Sequence, residues 1–214
     1  MSYKQALLHG GLALTSAFAL CAITAEQSQA GILTFTNQAD FLNAIQPGFY
    51  LNNFASLPNF DLVASPTNFS NGTYSYTASA TDGLYGVSPN SNRALSTNNL
   101  SQSITFNNFT PNITAIGGYF FGTNFDGDPT SVTVTASVNG GSASLQATTG
   151  SATNFFGFVS DDGSPILSLT QSVGTQFATV DDLIVAQAVP EPLTLLGASA
   201  AVAFGAAFKR RKSQ

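Results

Sequence analysis

Residues 131–138 read SVTVTASV, followed by Asn139-Gly140-Gly141 and a second run at 142–148. Val132, Val134, Ala136 and Val138 take alternate positions, with Ser or Thr between them. A period of two belongs to a strand with one buried face and one wet face. Asn-Gly-Gly between two such runs is hairpin chemistry, because Asn and Gly tolerate the positive φ of tight turns. The stretch predicts an antiparallel hairpin.

The same pattern continues in both directions. Residues 73–79 (TYSYTAS) put Tyr74, Tyr76 and Ala78 on one face and Thr73, Ser75 and Thr77 on the other. Further strands are expected at 32–36, 101–106, 113–121, 154–159, 166–169 and 177–186. One short helix is expected at 38–45: Asn37 can cap it, Asp40 suits its first turn, and Phe41, Leu42 and Ile45 form its apolar face. Pro47-Gly48 would end it. Many short strands with one helix give the fold expectation, an all-β, jelly-roll-like antiparallel β-sandwich.

The two ends read differently. Lys4 precedes an apolar run at 12–23, and Ser28-Gln29-Ala30 places small residues for cleavage after Ala30. Cys21 invites a lipoprotein reading, which fails because the bulky Leu20 precedes it. At the other end, 193–208 carries no charge and Lys209-Arg210-Arg211-Lys212 follows at once. That combination predicts a transmembrane helix with its C-terminus held inside by the basic cluster. The expected organisation is a signal-peptide helix at 1–30, an exported domain at 31–187 and a tail at 188–214.

Between residues 31 and 189 there are nine Asp, no Glu, and Arg93 as the sole basic residue, a net charge of −8. Nucleic acid is excluded as a partner by that charge. The same span has no His, Cys, Lys, Met or Trp. A Ser-His-Asp triad, a Cys-His pair, a lysine nucleophile and an ordinary zinc site therefore cannot be assembled there. Two Asp could still serve a glycan hydrolase as acid and base.

Calcium, a hard cation that takes six to eight oxygen ligands, suits an Asp-only inventory better. Asp126 and Asp128 lie in Asn124-Phe125-Asp126-Gly127-Asp128-Pro129, where a plain turn is the competing reading. Asp181 and Asp182 interrupt the apolar run 180–185, where strict alternation would send them to opposite faces. An inward Asp needs hydrogen bonds or a metal, so Asp181 leads this set as a structural calcium ligand. The alternative places both at an exposed strand start. Asp161-Asp162-Gly163-Ser164-Pro165 reads as a turn. Tyr74 and Tyr76 could form a sugar platform, with core packing as the competing use. Arg93 is expected to be solvated in a polar loop at 88–99. The sequons at Asn68, Asn71, Asn99, Asn108 and Asn112 are accounted for by the abundance of Asn, Ser and Thr.

Val189-Pro190-Glu191-Pro192, the apolar run and the terminal basic cluster together resemble a PEP-CTERM sorting signal, in a form similar to cyanobacterial versions. The resemblance implies recognition by an exosortase in the inner membrane and cutting near Pro190, Glu191 and Pro192. Residues 115–121 (AIGGYFF), 154–161 (NFFGFVSD) and 180–185 (VDDLIV) resemble jelly-roll-like β-sandwich domains of PEP-CTERM proteins. The resemblance implies a fold and an address; the leading expectation is an exported cell-surface or extracellular-matrix protein, non-enzymatic, with polysaccharide as its candidate ligand. It would be held in the membrane through 193–208 only as a precursor. The alternatives are an Asp-dependent glycan hydrolase and a purely structural matrix module.

Overall fold

The computed structural model describes residues 31–139 and 143–190. The signal segment with Cys21 and Ala30, the turn at 140–142, Glu191, Pro192 and the apolar run 193–208 lie outside the described residues. Among the described residues no helix is long and apolar enough to cross a membrane.

Alternating apolar and polar side chains pull the chain into two antiparallel sheets. The nine-stranded sheet runs β1 (Ile32–Phe35), β13 (Phe155–Ser160), β9 (Ala115–Thr123), β15 (Phe177–Ala186), β7 (Ala94–Thr97), β6 (Leu84–Val87) and β3 (Asp61–Val63). Two short strands join it, β10 (Pro129–Thr130) on β9 and β2 (Tyr50–Asn52) on β15. The six-stranded sheet runs β12 (Ala143–Thr149), β11 (Val132–Asn139), β14 (Ser168–Val173), β8 (Ile104–Thr110), β5 (Ser75–Ser79) and β4 (Thr67–Ser70). The result is an all-β sandwich of the jelly-roll-like kind.

The inner faces meet in one aromatic-rich core containing Tyr76, Phe106, Phe120, Phe156, Phe158 and Val180. Phe rings supply much of the bulk. Tyr74 and Tyr76 are buried here and form no surface platform. The Tyr76 hydroxyl accepts a 2.7 Å hydrogen bond from Asn52 Nδ2, so its polar end is satisfied inside the core. None of the six strands of the smaller sheet contains a charged residue. Its outer face is a field of Thr, Ser, Asn and Gln, with cross-strand pairs such as Thr133 and Thr148 at 3.0 Å.

Helix α1 (Gln38–Asn43) lies on the outer face of the nine-stranded sheet. Asn37 caps it, its side chain accepting from the N–H groups of Ala39 and Asp40 at 2.8 and 3.3 Å. The helix stops earlier than its apolar pattern predicts, because Ile45 forms a β-bridge with Ala188. Phe41 is fully buried among Phe155, Ile184 and Ala186. Paired glycines make that approach feasible: Gly157 lies opposite Gly117, and a Cβ at Gly157 would sit 2.5 Å from Phe41 Cδ2.

Several expected strands shift. Strand β15 occupies 177–186 as predicted, and β11 keeps Val134, Ala136 and Val138 inward. Strand β8 begins only at Ile104, because Ser101 takes a φ of 59° and its N–H bonds Gln176 O. The loop expected around Arg93 contains a strand instead: all four residues of β7 are buried, with Ser96 and Thr97 satisfied by hydroxyl bonds.

Gly157→Ala should drive a methyl into the Phe41 ring and cost about 1–3 kcal/mol of overpacking. Urea denaturation of the variant, with a lowered midpoint at unchanged slope, is the measurement that checks it.

Candidate functional site

Strand β15 lines three features in turn along the outer face of the nine-stranded sheet. Phe177 and Thr179 lie in or beneath a pocket, Asp181 and Asp182 line a polar cleft, and Ile184 and Ala186 disappear under α1. The cleft exists because the ladder slips. Asp181 pairs with Tyr119, but Ile184 pairs with Gly117, so β15 carries one extra residue there. That residue makes a β-bulge, and Asp182 takes a φ of 49° within it.

The bulge corrects the expectation of two opposed carboxylates. Asp181 and Asp182 share one cleft with Asn53, Asn92 and Arg93. Both are half-buried in mid-strand and not at an exposed strand start. Burial lifts the Asp181 carboxyl to about 6, with the neighbouring Asp182 carboxylate adding to the rise and the Asp182 N–H opposing it from 2.8 Å. Burial raises Asp182 as well. Tyr119 is also raised, first by burial and then by the two carboxylates, while its hydroxyl donates to Gln38 Oε1 at 2.9 Å. Arg93 is half-buried, and its guanidinium donates to Ser88 Oγ.

Asp126 and Asp128 are elsewhere. Asn124 ties their turn together: its N–H bonds Asp128 O at 3.0 Å, and its Oδ1 accepts from Asp128 N at 2.9 Å. Gly127 supplies the φ of 82° that the turn requires. The four aspartates proposed for calcium thus divide between two places. Among the described residues no group of three or more His, Cys, Asp or Glu side chains could hold a metal ion. In the cleft, a cation near the two carboxylates would have Arg93 in the same lining. Asp162 is a turn residue as expected. Hydrogen bonds from Ser164 N–H, Ser164 Oγ and Ser160 Oγ hold its carboxyl below the usual range.

The other feature is a cavity of about 460 Å³. Its walls are the rings of Phe60, Tyr85, Phe125 and Phe177. Beneath them runs a buried chain of hydroxyls, with Ser96 Oγ 2.9 Å from Thr179 Oγ1 and Thr179 Oγ1 2.8 Å from Thr123 Oγ1. Gln171 braces this floor from inside the sandwich, its Nε2 donating to the carbonyls of Phe121 and Thr179 at 2.9 and 2.8 Å. Phe125 is 87% exposed and Phe60 42% exposed, an unusual position for two Phe rings. The Asn124–Asp128 turn holds Phe125 out at the mouth, with Asp126 beside it.

The sequence pointed to Asp126 as a ligand and missed the rings. No residue pattern marks Phe60, Phe125 or Phe177 as a wall, and Ser96 falls in the loop expected at 88–99. One signal was present: Phe125 is an aromatic residue inside a turn sequence that gives it nothing to pack against.

No family model, curated protein or solved structure matches this chain. What the domain does must come from the chemistry of its own surface.

Asp181 binds more protons folded than unfolded between about pH 4 and pH 6. Its folded pKa is raised, so stability is highest below the unfolded value near 4 and falls as pH rises through 6. Asp181→Asn should flatten that fall, leaving the variant more stable than the parent at pH 7 by about 1 kcal/mol once solvent screening of a half-exposed group is allowed for. Thermal melts of both proteins from pH 4 to pH 8 read this directly.

Proposed function

We propose that this chain is an exported, non-enzymatic surface or matrix protein whose sandwich binds polysaccharide through the ring-walled pocket of its nine-stranded sheet. One observation carries the reading: four aromatic rings stand over a buried hydroxyl floor, and two of them face solvent. A sugar ring has an apolar C–H face and a rim of hydroxyls, and such a pocket offers a partner to each. Phe125→Ala and Phe60→Ala remove exposed rings and should leave folding intact. Each is expected to weaken retention on polysaccharide about tenfold in affinity-gel electrophoresis, a change that corresponds to about 1.4 kcal/mol. Unchanged mobility in both variants would rule the pocket out.

The export route rests on the signal-like and PEP-CTERM-like ends, and two features of the domain support it. At one end Gly31 N–H donates to Asp161 Oδ1 at 2.9 Å and Gly31 O accepts from Asp161 N at 3.2 Å. A chain starting at Gly31 would thus begin on a carboxylate that suits a new ammonium group. At the other end the ladder closes immediately before the sorting motif, with Val189 N–H donating to Ala44 O at 3.0 Å. The motif therefore follows the folded domain without an intervening linker. Intact mass of the protein recovered from the host's surface and medium should match residues from Gly31 to the vicinity of Pro190, with any added glycan. Retention of 209–214 would mean a stable anchor.

A second reading, Asp-dependent glycan hydrolysis, is favoured by the half-buried Asp181 and Asp182 pair, one of them lifted to about 6. Against it, among the described residues no aromatic ring lines the cleft, and its carboxylates come from adjacent residues. Reducing ends released from a bound polysaccharide, and lost in Asp181→Asn, would favour this reading over binding alone.

A further inference from the structure

We infer that the ring-walled pocket selects uncharged sugars, and that Asp126 at its mouth is the residue that turns acidic sugars away. The inference rests on the polysaccharide-binding reading above and concerns the same site.

The pocket's chemistry is one-sided. Its polar groups are hydroxyls and amides: Ser96 and Thr123 on the floor, with Asn98 and Asn124 at the sides. Neutral hydroxyl groups exchange hydrogen bonds with such partners without either side having to carry a charge. A carboxylate or sulfate on a sugar needs a cation, or several converging N–H donors, to compensate for leaving water. Among the described residues no Lys, Arg or His belongs to this lining. The only basic residue between 31 and 189 is Arg93, which lines the other cleft. Among the described residues the one charged side chain in the lining is Asp126, and it is negative.

Position makes Asp126 effective. It follows Phe125 directly on the turn that Asn124 fixes, so a sugar stacked on the exposed ring must lie beside the carboxylate. The turn cannot easily move aside. Gly127 packs against Phe60, where an added Cβ would meet the ring at 3.0 Å, so the turn and the opposite wall support each other. The cavity volume of about 460 Å³ falls within the size range of small-ligand sites, which suits a short stretch of glycan.

The test is a glycan array carrying neutral, amino and acidic oligosaccharides, probed with the full 214-residue chain in detergent. Parent, Asp126→Lys and Phe125→Ala proteins are compared, with thermal melts confirming that each is folded. The parent should bind neutral oligosaccharides and leave oligogalacturonate and sulfated glycans unbound. Asp126→Lys should raise binding of acidic glycans relative to neutral ones by tenfold or more. Phe125→Ala should weaken neutral binding about tenfold. Parent protein that binds acidic glycans as tightly as neutral ones overturns the inference while leaving polysaccharide binding in place. So does an Asp126→Lys variant whose charge preference is unchanged. A folded parent that binds no glycan of any class overturns the binding reading as well.

Discussion

The extra residue in β15 fixes what each face of this sandwich can do. From Phe177 to Asp181 the odd-numbered side chains face outward; after the bulge the outward positions are Ile184 and Ala186. Leu183 and Val185 therefore enter the central core, while Ile184 and Ala186 meet Phe41 of α1. Without the slip, every side chain beyond it would change face. The same slip opens the gap between β7 and β2, which pair with successive halves of β15. Asp181, Asp182 and Arg93 collect there. A single inserted residue thus separates a helix-covered end of the sheet from an open, ring-walled end.

Charge is distributed with equal asymmetry. The six-stranded sheet holds none in its strands, whereas Asp61, Asp181 and Asp182 lie in strands of the other sheet. Asp126 stands at the mouth of the pocket on that same sheet. Two half-buried carboxylates with raised affinity for protons are a cost to stability at neutral pH, and the fold retains them in the cleft whose lining includes Arg93. Strained or unfavourable groups retained in this way mark surfaces where requirements other than stability operate.

Much of the fold was legible because its strands obey a two-residue period. Residues 132–138 declared themselves by alternation, 177–186 by an apolar run, and Asn37 by its place before a short apolar face. Strand β7 did not, because Ser96 and Thr97 are polar in sequence yet buried through hydroxyl pairing across strands. Such pairing has no local signature. The bulge was equally hidden: two consecutive Asp in an apolar run signal an irregularity, but only the ladder to Tyr119 and Gly117 shows that both end in one cleft. The pocket was least legible of all. Its rings and hydroxyls come from β6, β7, β9, β15 and two loops, so no window of sequence contains it. Phe60 and Phe125 look like core residues until their exposure is seen.

The central claim is that the open end of the nine-stranded sheet is the working surface. Hydrogen–deuterium exchange of the full chain, with and without a bound neutral glucan, compares the two faces of the sandwich in one experiment. The account predicts slowed exchange confined to segments 59–61, 85–98, 121–128 and 177–179, with the six-stranded sheet unchanged. Protection across β11, β12 and β14, and none around the pocket, would place binding on the hydroxyl field of the opposite face and contradict it.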